Sequence, residues 1–288
     1  MNRSFLFVPG DSPRKMQRAA GTGADALILD LEDSVMPAAL PDARKMTAEF
    51  LAGRNDAWVR INPVDSAAAA ADLEAIVPAQ PAGIVLPKPR SAGDVRQLAG
   101  MLDGLEAGHG IEAGTIRILP ICTERPEALF TLDGYRGATP RLAGLTWGAE
   151  DLAAATGATG NRDGEGRWRP PFELARSLCL IAAAAAEVAA VDTVFTDIRD
   201  AEGLALYAAN ARRDGFSGML AIHPGQVDII NGAFAPTAAE LERAERIVAL
   251  FDANPGAGTL GMDGEMIDRP HLVQAKRIIE LARRLVSL

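Results

Sequence analysis

The strongest constraint on this chain is a rhythm: short apolar runs recur along it, separated by stretches with helical spacing. The runs fall at Ser4–Pro9, Ala26–Leu31, Ala57–Asn62, Gly83–Pro87, Arg117–Cys122, Leu142–Trp147, Asp192–Thr196 and Met219–Ile222. Between them lie helical patterns over Pro41–Leu51, Ala67–Ile76, Gly93–Leu105, Glu127–Leu132, Pro171–Val188 and Glu202–Asp214. Strands that alternate with helices form parallel βαβ units, because a parallel neighbour is reached only by a crossover. Eight such units predict an α/β fold, a closed (β/α)8 TIM barrel. Hydrophobic residues make up 48% of the chain and aromatics only 5%, so alanine and small aliphatics carry the burial, which suits helices packed closely on a sheet.

The barrel is expected over residues 1–235. The remainder, 236–288, exceeds what a barrel needs. Thr237 followed by Glu240 marks the start of a helix running to Ala253. The glycine-rich Asn254–Gly264 reads as a hinge, and a last helix begins near Pro270, a residue suited to a first turn. This C-terminal helical extension is expected to be an arm covering a mouth, its own or that of a neighbouring subunit.

In a barrel of this kind the chemistry sits where the strands end. The second run ends in Asp30, Glu32 and Asp33, the third in Arg60 and Asn62, the fourth in Lys88, and the fifth in Glu124. The sixth ends in Glu150 and Asp151, the seventh in Asp197, and the eighth in His223. A random distribution would place comparable charges at the strand starts. Acids at the tip of a buried strand need a cation, an arginine or solvent. Glu124 and Asp151 are therefore expected to hold one divalent ion; the alternative is that they pair with Arg60 or Lys88. Two carboxylates with open coordination positions suit Mg²⁺, which keeps several waters that a 2-keto acid can displace. Zinc is disfavoured, since neither cysteine nor histidine clusters nearby. Glu150, next to Asp151, is read as a cap of the following helix. Arg60 can fork onto a carboxylate or a thioester enolate, or can pair with Asp30 or Glu32, and the two roles are compatible. Asp30 and Glu32 share one strand face and would need arginine or lysine partners there.

The formal net charge of −9, with no compensating basic stripe, argues against a nucleic-acid surface, though local arginines still permit an acidic substrate. Cys122 and Cys179 do not make a disulfide framework and read as small core residues. The N-terminal apolar run is too short for a signal peptide, and Cys179–Val191 is too short to span a bilayer. A cytoplasmic protein without membrane contact is expected. Gly21–Ala26 (GTGADA) precedes a strand instead of following one, so it is a helix-to-strand turn and not a nucleotide loop. His109 and His271 lack ligand-spaced partners and are assigned surface or capping roles. His223 either fixes a turn with Pro224 or serves the site. The loop Gly157–Arg169, rich in Gly, Asn and Asp, is either a lid or a plain surface loop.

The stretches RSFLFVPGDSPRKM, ALILDLEDSV, VRINP, IVLPK, LPICTE, LTWGAEDLA, AIHPGQV, NGAFAPTAAELERA and DGEMIDRPH run in order from Arg3 to His271. On these the chain resembles the citrate lyase beta-subunit-like family of acyl-CoA lyases, within the wider group of metal-dependent aldolases and lyases. The resemblance implies a barrel with a C-terminal extension, Mg²⁺, reversible cleavage of a 3-hydroxyacyl-CoA, and homotrimers or dimers of trimers. Glu124 and Asp151 resemble the metal ligands, and Arg60 the arginine that faces the substrate. Asp268 resembles a catalytic aspartate that relatives place in a neighbouring subunit's mouth; as an alternative it caps the helix ahead of Pro270. Arg14 and Lys15 are placed near CoA phosphates. The substrate-facing set is Arg60, Gly148, Ala149, Glu150, Asp30, Glu32 and Lys88. Met219 and Arg125 depart from the family pattern, where lysine and a small residue are common.

The expected reaction is retro-Claisen cleavage of a citramalyl- or malyl-CoA to acetyl-CoA and a 2-keto acid. Three alternatives stand beside it: a class II pyruvate aldolase, a citryl-carrier-protein lyase subunit, and a non-catalytic acyl-CoA-binding protein. The first is disfavoured by Asp33 in DLED, where such aldolases carry a histidine.

Overall fold

Eight parallel strands form the first part of the chain: β1 (Ser4–Pro9), β2 (Ala26–Asp30), β3 (Ala57–Arg60), β4 (Gly83–Leu86), β5 (Arg117–Pro120), β6 (Gly144–Thr146), β7 (Ala189–Asp192) and β8 (Gly218–Ala221). The structure is a computed structural model describing residues 2–54 and 56–286. The sheet runs β5-β4-β3-β2-β1-β8-β7-β6. Isolated parallel bridges, Ile118 to Leu142 and Ile121 to Thr146, bring β5 back to β6, giving a nearly closed (β/α)8 barrel. All five residues of β2 are buried, as expected for a parallel strand covered on both faces. Alternate residues, among them Phe5, Ile28, Trp58, Val85, Leu119 and Leu220, fill the interior.

The helices of this part are α1 (Pro13–Ala20), α2 (Leu40–Leu51), α3 (Ala68–Ile76), α4 (Ala92–Gly108), α5 (Ala149–Thr156), α6 (Pro170–Ala185) and α7 (Ala201–Asp214), with α8 (Val227–Ala233) following β8. Among the described residues no helix is long and apolar enough to cross a membrane. Both cysteines are free and buried.

The chain divides into two compact units, Met1–Asn231 and Gly232–Leu288. The second holds α9 (Ala238–Asp252), β9 (Thr259–Met262), β10 (Glu265–Asp268) and α10 (Arg269–Val286). Its core is Ala244, Ile247, Phe251, Met262, Ile267 and Ala275. Thr237 and Glu240 form the reciprocal capping box read from the sequence.

Four expectations need correcting. The seventh strand is Ala189–Asp192, not Asp192–Thr196. Its alanines look like the tail of the preceding helix, but small residues are what this seam requires: a Cβ added to Gly144 would lie 2.8 Å from the Ala189 carbonyl oxygen. Asp197 consequently sits in an exposed loop, where it accepts the Arg199 amide. Glu127–Leu132 is no α-helix; two 3₁₀ turns, Pro126–Phe130 and Leu132–Tyr135, fill that crossover, a segment too short to repay helix nucleation. The supposed hinge Asn254–Gly264 contains β9 and turns into an antiparallel hairpin with β10. Charge is also not confined to the strand ends: Arg3–Asp25 and the buried Arg141–Glu106 pair brace the opposite, N-terminal end.

Candidate metal and substrate site

The inward faces of β2 and β3 end side by side, with Asp30 in register with Arg60. Arg60 meets Asp30 fork to fork, Nε to Oδ1 and Nη2 to Oδ2, both at 2.7 Å. Its Nη1 lies 3.1 Å from Glu32 Oε2 and 3.7 Å from Asp33 Oδ2. The guanidinium also sits 4.9 Å above the Phe7 ring. Asp30 accepts the amides of Glu32 and Ser34, at 3.0 and 3.1 Å, which folds the turn after β2 back over the barrel. Burial opposes ionisation of Asp30, but Arg60 prevails and holds the carboxyl below its ordinary range. Burial wins at Glu32, whose carboxyl is raised despite Arg60 and Lys88.

Lys88 follows β4 in the left-handed region, with φ of 51°. That conformation is costly for a residue with a Cβ, and here it does two things at once. The Lys88 backbone N–H donates to Glu124 Oε2 at 2.6 Å. Its ammonium reaches Glu32 Oε1 at 2.6 Å, Asp33 Oδ1 at 3.2 Å and Asp151 Oδ1 at 3.3 Å.

Glu124, just beyond β5, is 4% exposed. Burial, and after it the charge of Asp151, pushes its carboxyl well above the ordinary range. Opposite stands Gly148, the N-cap of α5, whose amide is held by Thr123 Oγ1 at 3.2 Å. A Cβ on Gly148 would fall 2.7 Å from Glu124 Cγ and 3.1 Å from its Oε1, so only glycine fits. Ala149, Glu150 and Asp151 form the first turn of α5, where acids suit the helix N-terminus. Glu150 is not the cap: its exposed side chain accepts from Asn161 Nδ2 at 2.8 Å.

Asp30, Asp33, Arg60, Glu124 and the turn from Gly148 to Asp151 line a cavity of about 430 Å³, with apolar walls from Phe7, Ile121, Trp147, Val194 and Leu220. Five carboxylates (Asp30, Glu32, Asp33, Glu124 and Asp151) cluster around two cations, Arg60 and Lys88, and Glu150 adds a sixth acid at the cavity. Among the described residues no three His, Cys, Asp or Glu side chains gather as a ligand set. A magnesium ion fits this donor chemistry: two carboxylates, one of them electrostatically frustrated, with water or substrate completing the shell.

Other sequence-marked residues lie elsewhere. His223 caps a 3₁₀ turn, its Nδ1 accepting the Gly225 amide at 3.1 Å while Gln226 returns the bond. Arg14 and Lys15 are exposed on the first turn of α1. Asp268 ends β10, and its Oδ1 lies 2.5 Å from His271 Nδ1, giving that histidine a partner the sequence did not suggest. Sequence reasoning missed Asp192: read as the start of a strand, it is the buried carboxylate at the end of one. Its signal was the acid at the end of an apolar Ala-Ala-Val run.

Barrel and acidic mouth together place the chain among (β/α)8-barrel proteins whose polar groups gather at the strand C-termini. More specifically, the chain belongs to the HpcH/HpaI aldolase/citrate lyase family, which matches residues 3–224. It is 32% identical over 288 residues to citrate lyase subunit beta of Leuconostoc mesenteroides subsp. cremoris, spanning 98% of this chain and 93% of that one. It is likewise 32% identical to a (3S)-malyl-CoA thioesterase of Cereibacter sphaeroides, over 99% of this chain and 96% of the other. A crystal structure of the CitE protein of Mycobacterium tuberculosis, in complex with magnesium, acetoacetate and coenzyme A, superposes with a TM-score of 0.82, at 32% identity and over 98% of both chains.

Proposed function

We propose that this protein is a Mg²⁺-dependent carbon–carbon lyase that cleaves a 3-hydroxyacyl-CoA of the malyl or citramalyl type to acetyl-CoA and a 2-keto acid. One observation carries the reading: Glu124, a buried carboxyl raised by burial and by the charge of Asp151, lies against Gly148, the residue that begins the turn carrying Asp151. The relative crystallised with magnesium, a keto acid and CoA supports it.

Glu124 and Asp151 would hold the ion, with Lys88 fixing both acids through its amide and its ammonium. When bound, the metal supplies positive charge for the oxygen that becomes the keto group. Arg60, oriented by Asp30 and ion-paired through Nη1 with Glu32, is assigned the positive charge that steadies the thioester half as it leaves as an enolate. Gly148 and Ala149 let the acid lie against the α5 N-terminus, with Glu150 at the rim. The apolar walls exclude water from the departing enolate. Asp268, steadied by His271, is assigned the proton relay: directly or through water, it takes the hydroxyl proton as the C–C bond breaks and returns it to the thioester α-carbon. Arg14 and Lys15 meet CoA phosphates. The protein is read as cytoplasmic and as a homotrimer or a dimer of trimers.

A second reading, hydrolysis of the thioester, is favoured by the thioesterase relatives. Incubation with malyl-, methylmalyl-, citramalyl- and citryl-CoA separates the two. A lyase releases keto acid and a shortened acyl-CoA (acetyl-CoA, or propionyl-CoA from the methylmalyl ester) without free thiol, whereas a thioesterase releases thiol and the intact hydroxy acid. EDTA should abolish turnover in either case, and full activity in EDTA would remove the metal from the proposal.

A further inference from the structure

Behind the mouth lies a polar cluster that the proposed chemistry leaves unused. Asp192 is completely buried, and its two oxygens accept five hydrogen bonds from four residues. Oδ1 takes the Trp147 indole N–H at 2.6 Å, the Thr193 amide at 2.8 Å and the Tyr207 hydroxyl at 3.1 Å. Oδ2 takes Arg176 Nε at 3.0 Å and Nη2 at 2.8 Å. The Tyr207 oxygen in turn accepts the Trp168 indole N–H at 3.2 Å. Trp168 stands edge-on to Trp147, their centroids 5.0 Å apart and their planes at 70°.

Trp147, Asp192, Tyr207 and Trp168 thus close a ring drawn from the end of β6, the end of β7, α7 and the loop 157–169. The loop is anchored at this point. Arg162 stacks 3.5 Å over the Trp168 ring, and an antiparallel bridge joins Arg162 to Trp168. A network anchored on a buried carboxylate whose two oxygens are both filled holds its members in one arrangement.

What the ring holds is the residue immediately before Gly148. Gly148 lies against Glu124, so close that a Cβ on it would fall 2.7 Å from Glu124 Cγ. Moving away would swing the Trp147 indole off Asp192 and off Trp168. The turn from Gly148 to Asp151 is thus bordered by Glu124 on one side and by the ring on the other. We propose that Asp192 is a positioning residue for the Glu124–Asp151 pair, acting through the indole of Trp147, with the loop 157–169 as the clasp that keeps the ring shut. The inference rests on reading those two acids as metal ligands.

The test uses the full chain and Mg²⁺ alone, by isothermal titration. Trp147→Phe keeps an aromatic ring and deletes the N–H. Outer partners of metal ligands typically cost ten- to a hundredfold in affinity, so Mg²⁺ should bind about tenfold more weakly. Turnover should fall in parallel while the thioester KM changes little. Tyr207→Phe cuts the ring between Asp192 and Trp168, leaves both indoles in place, and should shift Mg²⁺ affinity in the same direction. Wild-type Mg²⁺ affinity in folded Trp147→Phe, or in Tyr207→Phe should the first variant not fold, overturns the proposal. Wild-type protein that binds Mg²⁺ but cleaves none of the thioesters removes the lyase reading and leaves this one in place. Wild-type protein that binds no Mg²⁺ removes both.

Discussion

At the scale of single residues, Glu124 shows most clearly a site arranged against stability. A carboxylate 4% exposed, beside Asp151 and compensated by one backbone N–H, weakens the free protein. Glu124→Gln keeps the shape and an acceptor for the Lys88 amide while removing the charge. Its Mg²⁺ binding should vanish in calorimetry, and its melting temperature should rise, by about 2–4 °C for a gain of about 1 kcal/mol in a chain of this size. A melting temperature that falls would mean that the carboxylate is better accommodated than its burial implies. These acids were legible in the sequence because they interrupt apolar runs, and Gly148 lay within the same motif. What the sequence concealed was the partnership. Arg60 is committed to Asp30 by two bonds, and Lys88 is shared among Glu32, Asp33 and Asp151, pairings set by strand register and by a backbone twist at Lys88 that no motif announces.

At the scale of elements, the barrel strands were readable because both their faces are buried, leaving continuous apolar runs of the kind seen in β2. β7 escaped because Ala189 and Ala190 carry no β preference; the crowded seam with β6 selects them, and that is a tertiary effect. With the strand misplaced, Asp192 lost its meaning as a strand-end acid. The β9–β10 hairpin was hidden for the opposite reason. Its glycines suggested mobility, yet Asp263-Gly264, with φ of 55° and 83°, is the dipeptide that a tight two-residue hairpin demands. Asp263 is tied to Arg246 on α9 at 2.8 Å, and Arg243 to Glu265 at 2.5 Å. Gly264→Val should therefore cost about 1–2 kcal/mol through its left-handed φ. Hydrogen exchange should show amides 259–268 opening faster while the barrel amides keep their protection. Unchanged exchange there would mean that the turn tolerates a side chain.

At the scale of the whole molecule, the division at Asn231 leaves the proposed metal ligands in one unit and Asp268 in the other. If the second unit acts on a neighbouring subunit, mixing inactive Asp268→Asn with inactive Asp151→Ala protein should restore part of the activity. Native mass spectrometry would verify that mixed oligomers had formed. No recovery in verified mixtures would assign the arm to its own barrel. The distribution of charge over the barrel has one more consequence for the proposed chemistry. Its mouth carries six acids and two bases, and both the keto acid and the thioester are anions. Such an entrance repels its own cargo until a divalent ion has docked, so it imposes a queue: cation first, organic acid second, and departure in the reverse order.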